Sequence, residues 1–146
     1  MPHLTIDIAP LGPIIQVAVG VSGPVRQMLT DAKQPLPPLQ FAQALVDTGA
    51  SGSVVDPEIC SALGLSPVSY TRVHTPSTSG KPVIQSVYDV SIWLYHAKTK
   101  HIFERSFPVC CAPLRVQGID MLLGRDVLSE CLLVYDGPSG RFSLAF

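Results

Sequence analysis

Charge is scarce in this sequence. Asp, Glu, Lys and Arg together make up 14% of 146 residues and nearly cancel, to a net charge of −1. A nucleic-acid partner calls for a basic surface that offsets the phosphate backbone, so this balance argues against that class of function. No apolar run approaches the roughly 20 residues that span a bilayer as a helix, so no membrane segment is read. The N-terminus has neither the basic start nor the apolar segment of a secretory signal. Cys-x-x-Cys spacing is absent among Cys60, Cys110, Cys111 and Cys131, which indicates neither a zinc site nor a disulfide framework. Reduced, buried thiols in an intracellular, cytoplasmic protein are the expectation. His96 and His101 are not spaced as a metal pair on a helix or a strand, so no metal site is read.

What is present is apolar and strand-like. Hydrophobic residues make up 47% of the chain, and with so little charge much of it must be buried in one core. A single domain over 1–146 is expected. His3–Ala9 alternates Leu4, Ile6 and Ile8 with Thr5 and Asp7, the period of a half-buried strand. Ile14–Val21 and Phe41–Val46 read as further strands, followed by Val87–Tyr95 and a return strand through Phe103, Phe107 and Val109. Leu132–Tyr135 and Arg141–Phe146 flank the turn Asp136-Gly137-Pro138-Ser139-Gly140 as a hairpin. Only two short helices are predicted. One starts at Asp56-Pro57 with Asp as N-cap and Pro at the first helical position, and stops at Gly64. The other spans Gly124–Cys131. Prolines 35, 37 and 38 predict a surface loop over 22–40 that contains no helix. An all-β closed sheet or barrel follows from this pattern.

One stretch stands apart, Ala44-Leu45-Val46-Asp47-Thr48-Gly49-Ala50-Ser51. An apolar strand runs into a carboxylate, and Thr-Gly then turns the backbone sharply, aiming one acid away from the core. A buried aspartate is costly unless it is hydrogen-bonded or shares a proton. Thr48 offers a hydroxyl and Gly49 a backbone free of Cβ, so partners lie within reach.

This octapeptide resembles the active-site signature of aspartic proteases. Downstream, Leu122-Leu123-Gly124-Arg125-Asp126 resembles the second motif of the retroviral-type (retropepsin-like) members, which packs against the active-site loop ahead of a short helix. The resemblance covers about 14–146 and implies a homodimeric, retropepsin-like barrel. It also implies a flap, a hairpin that closes over bound peptide, in Tyr70–Gln85. Ser77, Thr78, Ser79 and Gly80 are the candidate tip, with Ser79-Gly80 standing where the family usually has Gly-Gly.

The implied chemistry is peptide hydrolysis, with no metal or organic cofactor. It needs two adjacent carboxylates sharing one proton, the ionised one to take a proton from water and the other to polarise the scissile carbonyl. The chain has one Asp-Thr-Gly, so Asp47 from each of two copies must meet on a two-fold axis. By resemblance, Thr48 hydrogen-bonds across that axis, Gly49 offers its carbonyl to the peptide, and Ala50 stands where pepsin-like enzymes carry Ser. Leu123, Gly124, Arg125 and Asp126 are structural. The family's arginine often pairs with an acid four residues after the catalytic one. That position is Ser51 here, so Arg125 needs another partner, and Asp126 is expected to cap its helix. The partners implied are a second copy of the chain and a peptide or protein substrate. The C-terminal strand Arg141–Phe146 is the first candidate for the dimer interface and His3–Ala9 the second. Two other readings stay open: a dimeric peptide-binding scaffold of the same fold with little hydrolysis, and an unrelated barrel with a chance Asp-Thr-Gly turn.

Overall fold

The computed structural model describes residues 1–74, 79–96 and 101–146, and only the backbone at 96, 101 and 102. Its strands are β1 (His3–Asp7), β2 (Ile14–Val21), β3 (Gln40–Val46), β4 (Val54–Val55), β5 (Ser69–Val73), β6 (Val83–His96), β7 (His101–Cys111), β8 (Met121–Leu123), β9 (Leu132–Asp136) and β10 (Arg141–Ala145). Among the described residues three short helices interrupt them, α1 (Gly23–Asp31), α2 (Pro57–Ala62) and α3 (Arg125–Leu128), with a 3₁₀ turn at Arg115–Gln117.

Six strands close on themselves in the order β2-β3-β8-β4-β7-β6, because β6 returns to pair with β2. β5 is appended to β6 as a hairpin, and a separate sheet runs β1-β10-β9. The closed order explains the alternation along the chain. Ile15, Val17 and Val19 of β2, Ala42, Ala44 and Val46 of β3, and Val90, Ile92 and Leu94 of β6 point into the barrel and are buried. Phe142 and Leu144 of β10, with Phe146 beyond it, extend the same core toward the small sheet.

The loop expected over 22–40 is in its first half a helix. Pro24 lies in the first turn of α1, where a missing N–H costs no intrahelical bond. The other prolines follow the helix, and 34–39 runs without regular structure. Arg26 pins α1 to the barrel, with its guanidinium 5.3 Å from the Trp93 ring centroid and 2.5 Å from Glu104 Oε1. Gly20 is what lets Trp93 lie there, since a Cβ at that position would sit 2.9 Å from the indole. β6 and β7 pair as far as His96 and His101, while 97–100 lies outside the described residues.

Candidate active site

The local sequence builds the site from three strands. β3 carries the chain to Asp47 and lies parallel to β8, with Val46 opposite Leu123. β4 lies antiparallel on the other side of β8, with Val54 opposite Leu122. The segment 47–53 therefore loops from one neighbour of β8 to the other, and the end of β8 sits beneath it. Asp47 N donates to Leu123 O at 3.0 Å, so the strand pairing continues into the acid itself.

The Asp47 side chain is half-buried, and its Oδ1 accepts from Gly49 N at 2.9 Å. A Cβ at Gly49 would stand 3.1 Å from that same oxygen, so glycine keeps the approach open. Ala50 N closes the turn onto Asp47 O at 3.3 Å. Thr48 is exposed.

The second motif grips this loop from below, through backbone as well as side chains. Arg125 N donates to Ala50 O at 3.0 Å, and its guanidinium donates to Thr48 O at 2.9 Å. That carbonyl is the partner Arg125 lacked in the sequence. Gly124 presses directly on the loop: a Cβ there would lie 2.5 Å from the carbonyl carbon of Gly52 and 2.6 Å from its oxygen.

Asp126 is not the N-cap expected of it: that position is Gly124, with no side-chain cap bond, and Asp126 stands in the first turn of α3, turned to the loop. Its carboxylate accepts Ser53 N at 2.8 Å, Ser53 Oγ at 2.7 Å and its helix neighbour Val127 N at 2.9 Å. The buried Ser53 hydroxyl in turn accepts Gly124 N at 3.1 Å. Ser53 is thus a site-building residue that sequence reasoning passed over. Its signal was a small polar residue placed where the loop re-enters an apolar strand, Val54–Val55.

A second carboxylate was also undervalued. Asp56 caps α2 as predicted, through Glu58 N, but its other oxygen accepts Leu114 N and Arg115 N, each at 2.9 Å. Burial pushes its pKa up, and the bonds from Arg115, Glu58 and Leu114 N–H more than offset that, leaving it below the ordinary carboxylate value. Arg115 also pairs with Glu58 and Asp120, and Asp120 Oδ2 accepts Gln43 N of β3. The four residues fasten α2 and the 3₁₀ turn to the strand that delivers Asp47.

Of the candidate flap residues, Ser79 and Gly80 form a tight turn in which both adopt left-handed backbone, φ 51° and 76°. Ser77 and Thr78 lie outside the described residues. The flanking hairpin is present, with Thr71 opposite Gln85 and Val73 opposite Val83. A cavity of about 370 Å³ between Arg26, Leu36, Leu39 and Trp93 involves none of the Asp47 loop. A smaller one of about 280 Å³ does touch that loop, between Thr48, Arg125, Leu128, Ser129 and Leu133.

The sequence profile of a family described as aspartyl protease matches residues 40–127, from the first residue of β3 into α3. Among solved structures, a retropepsin-like aspartic protease from Rickettsia conorii is similar, with a TM-score of 0.58 and 14% identity. The likeness covers 99% of this chain and 90% of that one, and at such low identity it is a likeness of fold. No curated protein matches the sequence.

Proposed function

The chain belongs to the aspartyl protease family, and from that premise we propose that it is an endopeptidase whose active unit is a homodimer, with one Asp47 from each copy. The observation that carries this reading is the build of the Asp47 loop. Its carboxylate is oriented by Gly49 N–H, its backbone is clamped by Arg125 and Gly124, and Thr48 faces solvent beside it. Such a loop is one rigid half of a two-carboxylate site, and the chain has one copy of it.

In the dimer the two carboxylates hold one proton between them. The ionised one takes a proton from water as the water oxygen bonds to the scissile carbonyl carbon. The protonated one gives its proton to the carbonyl oxygen, so the intermediate is a neutral diol. Return of a proton to the amide nitrogen then lets the C–N bond break, releasing a carboxylic acid and an amine. Thr48 from each copy hydrogen-bonds to the other loop beneath the pair, and the Ser79-Gly80 hairpin covers the peptide. Neither metal nor organic cofactor enters this scheme. The described residues include no helix long and apolar enough to cross a membrane.

The test is digestion of a mixed peptide pool between about pH 4 and 7 by the wild type and Asp47→Asn. General acid–base catalysis contributes about 10²–10⁴-fold, so the variant should lose at least a hundredfold in rate while remaining a folded dimer. Cleavage by Asp47→Asn near the wild-type rate would remove Asp47 from the chemistry. Peptide binding without cleavage by the wild type would establish a scaffold in place of an enzyme.

A further inference from the structure

Two of the four cysteines meet in the fold, although nothing in their spacing along the chain joins them. β4 runs beside the end of β7, with Val55 opposite Cys111, and Ala112 N donates to Val55 O at 3.1 Å. The chain passes from β4 directly into α2 through its cap, Asp56, whose carboxylate accepts Leu114 N and Arg115 N just past β7. These bonds lay α2 over the end of β7. Cys60 falls one helical turn after the cap and is buried in the same apolar cluster as Val55 and Ile59. Cys111 packs against that cluster and is itself half-buried. The Cys60 thiol donates a hydrogen bond to the Cys111 sulfur.

Cys110 is the natural contrast. Successive strand residues point to opposite faces, so it is turned away from α2, and the charge it feels is that of Asp126. Cys110 and Cys111 are both half-buried, so access does not choose between them; the thiol opposite does. Among the described residues, no cluster of three His, Cys, Asp or Glu side chains surrounds the pair to hold a metal ion.

We propose that Cys60 and Cys111 join in an intramolecular disulfide when the protein meets a hydroperoxide, and that this bond locks α2 to β7. Cys111, the more accessible of the two, attacks a peroxide oxygen as the thiolate. The O–O bond breaks, hydroxide leaves, and Cys111 becomes a sulfenic acid. The Cys60 sulfur then attacks the Cys111 sulfur, the S–O bond breaks as S–S forms, and hydroxide leaves again. The two thiol protons convert both hydroxides to water, so two thiols give up two electrons and one hydrogen peroxide becomes two waters.

Burial, and after it the Asp56 carboxylate, holds both thiols protonated at neutral pH, with Cys60 pushed up to about 12. The thiolate is the nucleophile, so the bond forms slowly under sustained oxidant and is a lock, not a rapid signal. It closes a loop from 60 to 111 that contains β5, β6 and β7, which restricts the unfolded chain. None of this depends on the protease reading.

The experiment takes the fully reduced chain, treats it with excess hydrogen peroxide, then denatures it, alkylates free thiols and measures the intact mass. The wild type should lose two alkylation sites and two hydrogens, with no link to a second chain on a non-reducing gel. Cys110→Ser and Cys131→Ser should keep the bond, and Cys60→Ser and Cys111→Ser should lose it. Cys110→Ser carries the assignment, because trypsin leaves Cys110 and Cys111 on one peptide. The oxidised wild type should melt about 5 °C or more above the reduced form, and dithiothreitol should reverse the gain.

Four alkylated cysteines in the peroxide-treated wild type would overturn the inference. So would a bond that survives Cys111→Ser or is lost in Cys110→Ser. A bond with no rise in Tm would overturn the lock. Should a serine variant fail to fold, fragmentation of the linked wild-type peptides decides the matter: a link at Cys111 supports the inference, and a link at Cys110 overturns it.

Discussion

Replacing Gly124 by alanine adds one methyl group at the point where the second motif bears on the Asp47 loop. The backbone of Gly124 has φ −89° and ψ −176°, which any residue adopts, so the cost is purely steric. The added Cβ would find Gly52 C at 2.5 Å, Gly52 O at 2.6 Å and Ser53 N at 2.9 Å. All three are backbone atoms, so no side chain can swing aside. Carbon atoms rest at about 3.5–4.0 Å, so loop and motif must part by about 1 Å.

That displacement pulls on the Ser53–Asp126 bonds and on Arg125 N to Ala50 O, which hold the loop shut. Overpacking of this kind costs about 1–3 kcal/mol, and for a domain of this size each kcal/mol is worth about 2–4 °C in Tm. The catalytic effect is larger, since a misplacement of about 1 Å at a reacting group costs on the order of 10²-fold in rate. The assay is kcat/KM on one peptide substrate, with melting measured at one fixed protein concentration. Gly52→Ala is the control, because its Cβ would meet only Asp126 Oδ2, at 3.7 Å. Gly124→Ala with Tm and kcat/KM both unchanged would refute the claim that backbone contact positions the acid.

Two further outcomes follow from the same contacts. Thr48→Val should weaken dimerisation and cleavage together, read by sedimentation and by the concentration dependence of rate; loss of neither would remove Thr48 from the cross-axis role. Asp56→Asn should cost about 2–3 kcal/mol near neutral pH, because a buried charged acceptor of three N–H groups is lost. The Asp56 pKa is depressed on folding, so its stabilisation is complete above the unfolded carboxylate value and is lost as pH falls through the folded value. Acid melting below about pH 4 should therefore be shallower in Asp56→Asn than in the wild type, and parallel curves would show that this carboxylate is not the group responsible.

Legibility tracked how local the cause was. Asp56-Pro57 announced α2 because cap and first turn are adjacent in sequence, and the bond from Glu58 N to Asp56 is there. β2 runs Ile14–Val21 as its apolar pattern required. The same proline logic should have found α1. Ser22-Gly23-Pro24 is also an N-terminal signature, and the density of later prolines obscured it. The Asp47 turn was legible as a carboxylate at the end of an apolar strand, and Gly124–Asp126 as the segment packed against it, because each lies in a compact motif.

Ser53, the second face of Asp56 and the partner of Arg125 were not legible. Each depends on groups that meet only when the barrel closes, as when Arg125 reaches the Thr48 carbonyl. The interior place of β10 was hidden for a similar reason. Strand alternation tells which face is buried and says nothing of which edges are paired.

The bonds between the acid's loop and its support also set an order of events. Arg125 to Thr48 spans 77 residues, and Asp126 to Ser53 spans 73. Contacts of that separation carry a large loop-closure entropy and form late, after local turns and hairpins. While the chain is being made, Asp47 emerges long before Gly124 does. Until β8 slides beside β3 and α3 caps the far side, the carboxylate sits on an unbuttressed turn. The frame of the Asp47 carboxylate is therefore complete only once the barrel has closed, and a nascent or partly folded chain carries this acid without it.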